Sequence, residues 1–529
     1  MHHYFTSEGK GGKMRKVERI LFSLVVFVVV IGLVGVNSYA QGIDTLRVGV
    51  ASMPGNLDPS TGIGLSNTQL YFNIYDLILY EDPFEGFNRI SYICDSWEMV
   101  DDYTAEFRLR EGVTFHNGAP LTSEDIQYTI ERIMHGEPGY VGSTIKAIVA
   151  NVTGVEIIDD LTFRVLSSVP DNVLMSRLGS TLGIYVVPKA YIEEVGNDAF
   201  GQNPIGTGPY MVESFTPERL VLTRYEGYYG EAPIAERIEY ILYQEASTRV
   251  AALLVGEVDI ILQLPPDMFS VIENESGVSV GSENVTIFHM LRFNAQEEPM
   301  SDKLFRQALS LGIDRQLLCD AFWFGTSVVP NGYNFPEYAD YYVEDYPYYQ
   351  YDPDVARKLV EQSIYNGEEI KYELRPGYYE YANEVAEAIV SMWKGIGVNA
   401  RVVYNENLGG SNYQHVANWS NGIRFPDPVG GLWLLWGADT IFLDYAWQQM
   451  PQEFIDAGRT LESSMDFDER YEANETLMRI WDEEVPGTII YRVAEAWAVK
   501  DDIPLLGRPS NRVVSFRAEH LNYDLNIGD

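Results

Sequence analysis

Asp95–Asp125 reads DSWEMVDDYTAEFRLREGVTFHNGAPLTSED, and the order of features in it decides how the rest of the chain is read. Trp97 and Phe107, on either side of the acidic pair Asp101-Asp102, are candidate core residues. Asn117-Gly118 is a turn signal following Val113–Phe115. Thr122 and Asp125 then stand at capping-box spacing, which predicts a helix over 123–133 with Ile126, Ile130 and Ile133 as its apolar stripe.

Mixed strand and helix patterns extend from this stretch in both directions. Toward the N-terminus, TLRVGVA at 45–51 alternates like an opening strand, and Leu70, Phe72, Ile74 and Leu77 follow helical spacing after the Leu57-Asp58-Pro59 turn. Toward the C-terminus, Arg219–Leu262 predicts strand, strand, helix (246–254) and strand. Further on come a strand at 287–294, helical spacing over 305–311, and a helix started by Asp352-Pro353. A helix over 381–394 ends at Gly395 and Gly397 before a strand at 398–404, and a helix over 468–484 stops at Pro486. Two short strands, 488–491 and 497–500, complete the pattern. The class is α/β with more than one lobe. The tyrosines of 338–351 read as a surface loop laid against a lobe by amphipathic rings.

With 529 residues, 46% of them hydrophobic and 13% aromatic, the chain has material for an extensive core. Its 77 acidic against 37 basic residues give a net charge of −40, which sets nucleic acid and anionic lipid aside as main partners. Lys13, Arg15, Lys16 and Arg19 precede an apolar run, Ile20–Val36, ending in Asn37-Ser38-Tyr39-Ala40. That is the layout of a secretory signal peptide over 1–40, with Gln41 as the new N-terminus after cleavage; an uncleaved anchor is the competing reading. No Cys stands at the cleavage site, so a lipoprotein is not expected. Cys94 and Cys319 are too few for a disulfide framework and read as isolated buried thiols.

Catalytic signatures are missing. HExxH, CxxC, G-x-S-x-G, Walker A and dinucleotide-binding glycine patterns do not occur, and His116, His135, His289, His415 and His520 are widely spaced. No cofactor and no metal are expected. His116 reads as packing; His415 lies four residues before Trp419 and is less settled.

Three segments in order carry a resemblance. The first follows F-x-L-R-x-G-V-x-F-x-x-G-x-P-L-x-x-x-D from Phe107 to Asp125. The second is Asn203–Tyr210 (NPIGTGPY), with Tyr228-Tyr229-Gly230 and Gly256–Ile260. The third is Phe293-Asn294, Arg306–Leu309 and Ile313-Asp314-Arg315. Together they resemble the dipeptide/oligopeptide-binding family of bacterial extracellular solute-binding proteins. Residue by residue the motifs look structural: Gly206-Thr207-Gly208-Pro209 places two glycines where a tight turn is expected.

The resemblance implies a two-lobed periplasmic-binding-protein fold (type II-like), with a first lobe over 41–292 that holds an extra subdomain near 87–200. It implies a second lobe over 293–487, a return to the first through 488–529, and crossings near Phe293-Asn294 and Ile489–Tyr491. The implied function is the receptor of an ABC importer, exported and monomeric, with membrane permease subunits as partners and a peptide as ligand. Asn418–Pro428 (NWSNGIRFPDP) is similar to the family's ligand loop. Peptide-binding members place there an Asp that receives the ligand's amino group; anchoring on Phe425 and Pro428 puts Arg424 in its place. An Arg favours carboxylates or hydroxyl-rich partners instead, so an oligosaccharide ligand stays open. Arg424 is expected to face the cleft, and Asp427 could substitute as the acceptor. Trp433 and Trp436 share a helical face, as core or as stacking platforms. The candidate ligand-binding set is Asn67, Trp419, Arg424, Asp427, Trp433, Trp436 and Tyr491. A secreted hydrolase and a scavenging chaperone or signalling receptor on the same fold are the readings from other classes.

Overall fold

A computed structural model describes residues 43–62, 65–82, 87–136, 140–180, 184–233, 235–347, 351–409, 412–438, 440, 445–503 and 516–517. The signal-like segment 1–40 and the tyrosines Tyr348 and Tyr349 lie outside the described residues. The chain divides into a unit up to Asp44 and a far larger one from Thr45 onward, which holds the sheets, the helices and the candidate site.

The frame of the larger unit is one sheet of ten strands. In chain order the strands of the protein are β1 (Ile43–Val50), β2 (Tyr80–Asp82), β3 (Asn88–Ile90), β4 (Cys94–Asp101), β5 (Thr104–Leu109), β6 (Val152–Ile157), β7 (Thr162–Ser167), β8 (Tyr210–Phe215), β9 (Arg219–Arg224), β10 (Ala235–Leu242), β11 (Ile260–Leu262), β12 (Val278–Phe293), β13 (Ile370–Leu374), β14 (Ala400–Tyr404), β15 (Val416–Gly422) and β16 (Gly487–Lys500). The large sheet runs β14-β13-β15-β12-β16-β11-β1-β10-β9-β8; β4-β5-β7-β6 form a separate four-stranded sheet and β2-β3 a short ribbon.

The centre of the large sheet is a long antiparallel pair. β12 and β16 run together from Val278↔Lys500 to Arg292↔Gly487. One end of this ribbon lies beside β11 (Leu262↔Trp497) and the other beside β15 (Met290↔Trp419). The register breaks midway: the three residues 285–287 oppose the single Val493, with a second shift after His289. Such bulges bend a ribbon. Buried apolar residues obey the same division. Val250, Ile261, Ala496 and Ala498 form one cluster, Val285, Ile287 and Val493 a small one at the middle, and Leu291, Phe293, Trp393 and Ile490 belong to a large one at the far end. Two packed bodies joined by a thinly packed ribbon make a two-lobed α/β architecture.

Most local expectations hold. The helix Ser123–His135 has Ile126, Ile130 and Ile133 buried, and the Asp125 carboxylate accepts from both the N–H and the hydroxyl of Thr122. Asp352 caps the helix Pro353–Gln362 by accepting from the N–H groups of Asp354 and Val355. The helix Ala382–Gly395 is followed by Gly397 at φ +90°, a left-handed position suited to glycine. Cys94 and Cys319 are free and buried, and burial pushes their thiols up to about 12 and about 11.

Four expectations need correction. The strands anticipated at 488–491 and 497–500 are one continuous strand, because pairing with β12 carries it through Arg492–Ala496. Trp97 is only half-buried, packed at the edge of the cluster that buries Phe107. Tyr338 is core, 2% exposed, where a surface loop was expected. Gly206 and Gly208 do not turn through positive φ; they are glycines because the backbone of the helix Leu65–Ile74 passes too close. A Cβ at Gly206 would sit 2.2 Å from the Ile74 carbonyl oxygen, and one at Gly208 2.6 Å from the Ile74 carbonyl carbon. His116 fastens the same segment. The Gly206 N–H donates to its Nδ1 (3.1 Å), so Nε2 carries the proton and donates to the Gly208 carbonyl (3.0 Å). Burial depresses the ring to about 4, which keeps it neutral.

Phe516 and Arg517 lie against the β10 side of the sheet and the helix Leu65–Ile74. The Arg517 guanidinium donates to the Phe72 and Tyr75 carbonyls and to Asp76, and Phe516 stacks near Tyr240.

Gly206→Ala should destabilise the fold by about 3 kcal/mol, the upper range for overpacking against fixed atoms. Gly154→Ala, where an added Cβ meets nothing within 4 Å, should change stability by less than about 0.5 kcal/mol. Urea unfolding of the two variants compares them directly; equal midpoints would contradict the close-approach explanation.

Candidate functional site

The loop after β15 is built as a rigid hook. The Arg424 N–H donates to the Gly430 carbonyl (2.9 Å), and the Gly430 N–H to the Asp427 carbonyl (2.8 Å). Asp427 Oδ1 accepts from the Val429 N–H, capping the 3-10 turn Pro428–Gly430. A Cβ on Gly430 would lie 2.6 Å from the Phe425 carbonyl, so the hook closes only around glycine.

Asp427 is committed to that hook. Both its oxygens accept from Arg470 Nη2, at 2.9 and 2.8 Å, on the helix Phe467–Glu484. It is an ion pair inside the second body, which corrects its assignment as a ligand acceptor. Trp433 and Trp436 are corrected too: on the short helix Leu432–Trp436 they are 4% and 0% exposed. The Trp436 indole N–H donates to the Tyr333 hydroxyl (2.7 Å) and that of Trp433 to Glu462 (3.3 Å). Neither presents a ring face for stacking.

Trp419 and Tyr491 come together. They line one small cavity at the second-body end of the ribbon, with His289, Tyr379 and Asn418. Trp419 is half-buried, with the Arg292 guanidinium 5.3 Å from its ring centroid. His289 Nδ1 and the Tyr491 hydroxyl are 3.3 Å apart, and desolvation lowers the His289 ring to about 4. Asn67 lies elsewhere, half-buried in the helix Leu65–Ile74, where its amide donates to the Tyr71 hydroxyl (3.0 Å). His415 is structural: the Lys371 N–H donates to its Nδ1 at 3.0 Å.

Arg424, expected to face the cleft, is buried, 7% exposed. Its carbonyl accepts from the Ser180 hydroxyl at 2.8 Å, and Arg177 lies 6.0 Å from the ring centroid of the adjacent Phe425. The hook is thus docked against the body that carries β4–β7.

Sequence reading missed the charged contact beside it. Arg177, fully buried, pairs with Asp171 (3.0 Å) and with Glu462 of the helix Gln452–Ser463. Glu462 also accepts from the Asn151 amide (2.8 Å) and the Trp433 indole, and the Asn172 amide donates to the Ser464 carbonyl (2.9 Å). Burial raises the Asp171 carboxyl against the lowering effect of Arg177. Val173 completes the junction by packing into the cluster of Phe425, Trp433 and Trp436. Partners 285 positions apart leave no local pattern in a sequence.

The family model for bacterial extracellular solute-binding proteins, family 5, middle region, matches residues 90–442. A glutathione-binding protein of Salmonella paratyphi A is 23% identical over 278 residues, covering 52% of each chain. The dipeptide-binding protein of Escherichia coli is 23% identical over 338 residues, covering 59% of this chain and 63% of that one. The matches thus span about half to two thirds of these relatives' lengths. In fold, the chain is similar to an ABC-transporter-associated periplasmic binding protein of Helicobacter pylori solved with the peptide STSA. The TM-score is 0.78 at 19% identity, over 88% of this chain and 95% of that one.

Glu462→Ala should strip Arg177 of one carboxylate and leave the Asn151 amide with only a long contact to Asp171. Removing one partner of a buried ion pair costs about 3–5 kcal/mol. Amide hydrogen exchange in 147–178 and 452–464 should therefore accelerate by roughly a hundredfold or more, while the β8–β10 region stays unchanged. Unaltered exchange in both segments would remove the junction from the forces that hold the two bodies together.

Proposed function

Because the chain belongs to family 5 of the bacterial extracellular solute-binding proteins, we propose that it is the substrate-binding receptor of an ABC importer. It encloses an oligopeptide or related solute between its lobes and presents it to membrane permease subunits. The observation that carries this reading is the extent of the match, 90–442, which takes in the β4–β7 sheet, strand β12 and the hook at 423–431. The first lobe comprises 41–292 with the subdomain near 87–200, the second 293–487, and 488–529 returns to the first; the seating of Arg517 on Phe72, Tyr75 and Asp76 supports that return. The bent ribbon β12–β16 is the hinge, and the junction of Arg177, Glu462, Ser180 and Arg424 is the closed contact.

The ligand-contacting residues are Trp419, Tyr491 and Arg424; Asn67, whose amide is engaged by the Tyr71 hydroxyl, is not among them. A peptide-like ligand is favoured over an oligosaccharide because Trp433 and Trp436, the expected stacking platforms, are sealed in the core. The protein acts as a monomer without catalysis, and the segment 1–40 directs its export.

Two measurements test the reading. Mass spectrometry of solute released on unfolding the purified protein should recover a peptide or peptide-like compound, and small-angle scattering should show a smaller radius when that compound is added back. A radius unchanged at saturation would exclude capture by closure. N-terminal sequencing of exported material should begin at Gln41; recovery of 20–36 in the membrane fraction would show a retained anchor.

A further inference from the structure

A guanidinium taken out of water needs its donors answered. Among the described residues most buried arginines meet that demand in two ways, while Arg292 lies over the Tyr413 and Trp419 rings and donates to the Tyr445 hydroxyl. Arg177, Arg470 and Arg517 pair with carboxylates. Arg249, Arg306 and Arg315 spend their donors on backbone carbonyls such as those of Gln263, Met300 and Ile489.

Arg424 does neither. It is 93% buried by its 7% exposure, yet Nε has no partner, and Nη2 reaches only the Asn421 side-chain oxygen at 3.5 Å, at the outer limit of a hydrogen bond. Among the described residues no carboxylate pairs with it. Burial lowers its pKa to about 10, with only the Tyr333 phenol opposing, so it stays charged at neutral pH. Its backbone is clamped on both sides, by Gly430 and by Ser180. This cation is therefore held in place at the contact between the lobes with its donors open.

We propose that Arg424 receives a carboxylate of the captured solute, and that the solute is accordingly an acid. The proposal rests on the receptor reading and deepens it. A planar carboxylate matches the guanidinium fork and can take two of its donors at once. Closure then depends on the anion: closing on an empty site encloses an unpaired cation, whereas closing on a carboxylate pairs it. The net charge of −40 repels such a solute at a distance, but physiological salt screens that field beyond about 8 Å, so the buried cation decides at contact.

The test uses the exported chain, refolded free of cargo, as wild type, Arg424→Gln and Arg424→Lys. The probes are a tripeptide mixture with free carboxylates, the same mixture methyl-esterified, and galacturonic acid as a sugar acid. Affinity is read by calorimetry and closure by small-angle scattering. Wild type should bind the free-acid mixture or the sugar acid, and the esterified mixture at least tenfold more weakly. Arg424→Gln should lose at least tenfold affinity for the same acid, Arg424→Lys should recover part of it, and cargo-free Arg424→Gln should show a radius shifted toward the closed value. Which acid binds names the source of the carboxylate. Equal affinity of wild type for free and esterified peptides, or Arg424→Gln within twofold of wild type, overturns the carboxylate proposal and leaves the receptor standing. No response of wild type to any of the three probes overturns both.

Discussion

The pairing of β12 with β16 is the constraint on which the rest depends. Two strands of 16 and 14 residues are far longer than the usual strand of about 5–6 residues, and among the described strands they are the ones whose two ends lie in different packed bodies. Hydrogen bonding on both sides of the register break ties the bodies together, and at the break Val285, Ile287 and Val493 form a small cluster of their own. A ladder is stiff along its length but can bend where its register slips, and the slips fall between 284 and 290. A bend at that slip is what the proposed hinge requires.

Charge is distributed to suit that frame. Inside each body the buried arginines bind backbone carbonyls or carboxylates of the same body, as Arg306 does at Val485 and Arg517 at Asp76. Between the bodies the chain uses a different device. Arg177 reaches across to Glu462, and the hook carrying Arg424 is held by a hydroxyl from Ser180. A junction made of a few polar links and the small apolar contacts of Val173 and Ala147 can separate without exposing a large hydrophobic face. That suits the proposed capture of a solute between the lobes.

Much of this was legible in the residues. Caps at Thr122/Asp125 and Asp352, the stop at Gly397 and the apolar stripe of 123–135 come from backbone hydrogen bonding within a few positions. The three motif segments pointed to the family by their resemblance to its motifs, in the same order along the chain. The candidate site was legible only in part. Trp419 and Tyr491 do share a cavity, but Asp427, Trp433 and Trp436 belong to the core, since Arg470, Glu462 and Tyr333 claim their polar atoms from 43, 29 and 103 positions away.

By itself, the sequence determined the α/β class, the placement of most helices and strands, and the membership in a family of solute-binding proteins. The class and the elements rest on periodicity and capping, which are local properties of a chain, and the family on the resemblance of three motif segments. Only the tertiary structure decided that β16 is continuous, that Gly206 is glycine because Ile74 passes within reach of its missing Cβ, and that Arg424 is buried with no carboxylate paired to it among the described residues. Each of those depends on what a distant segment brings within a few ångströms. No pattern of neighbouring residues encodes that distance.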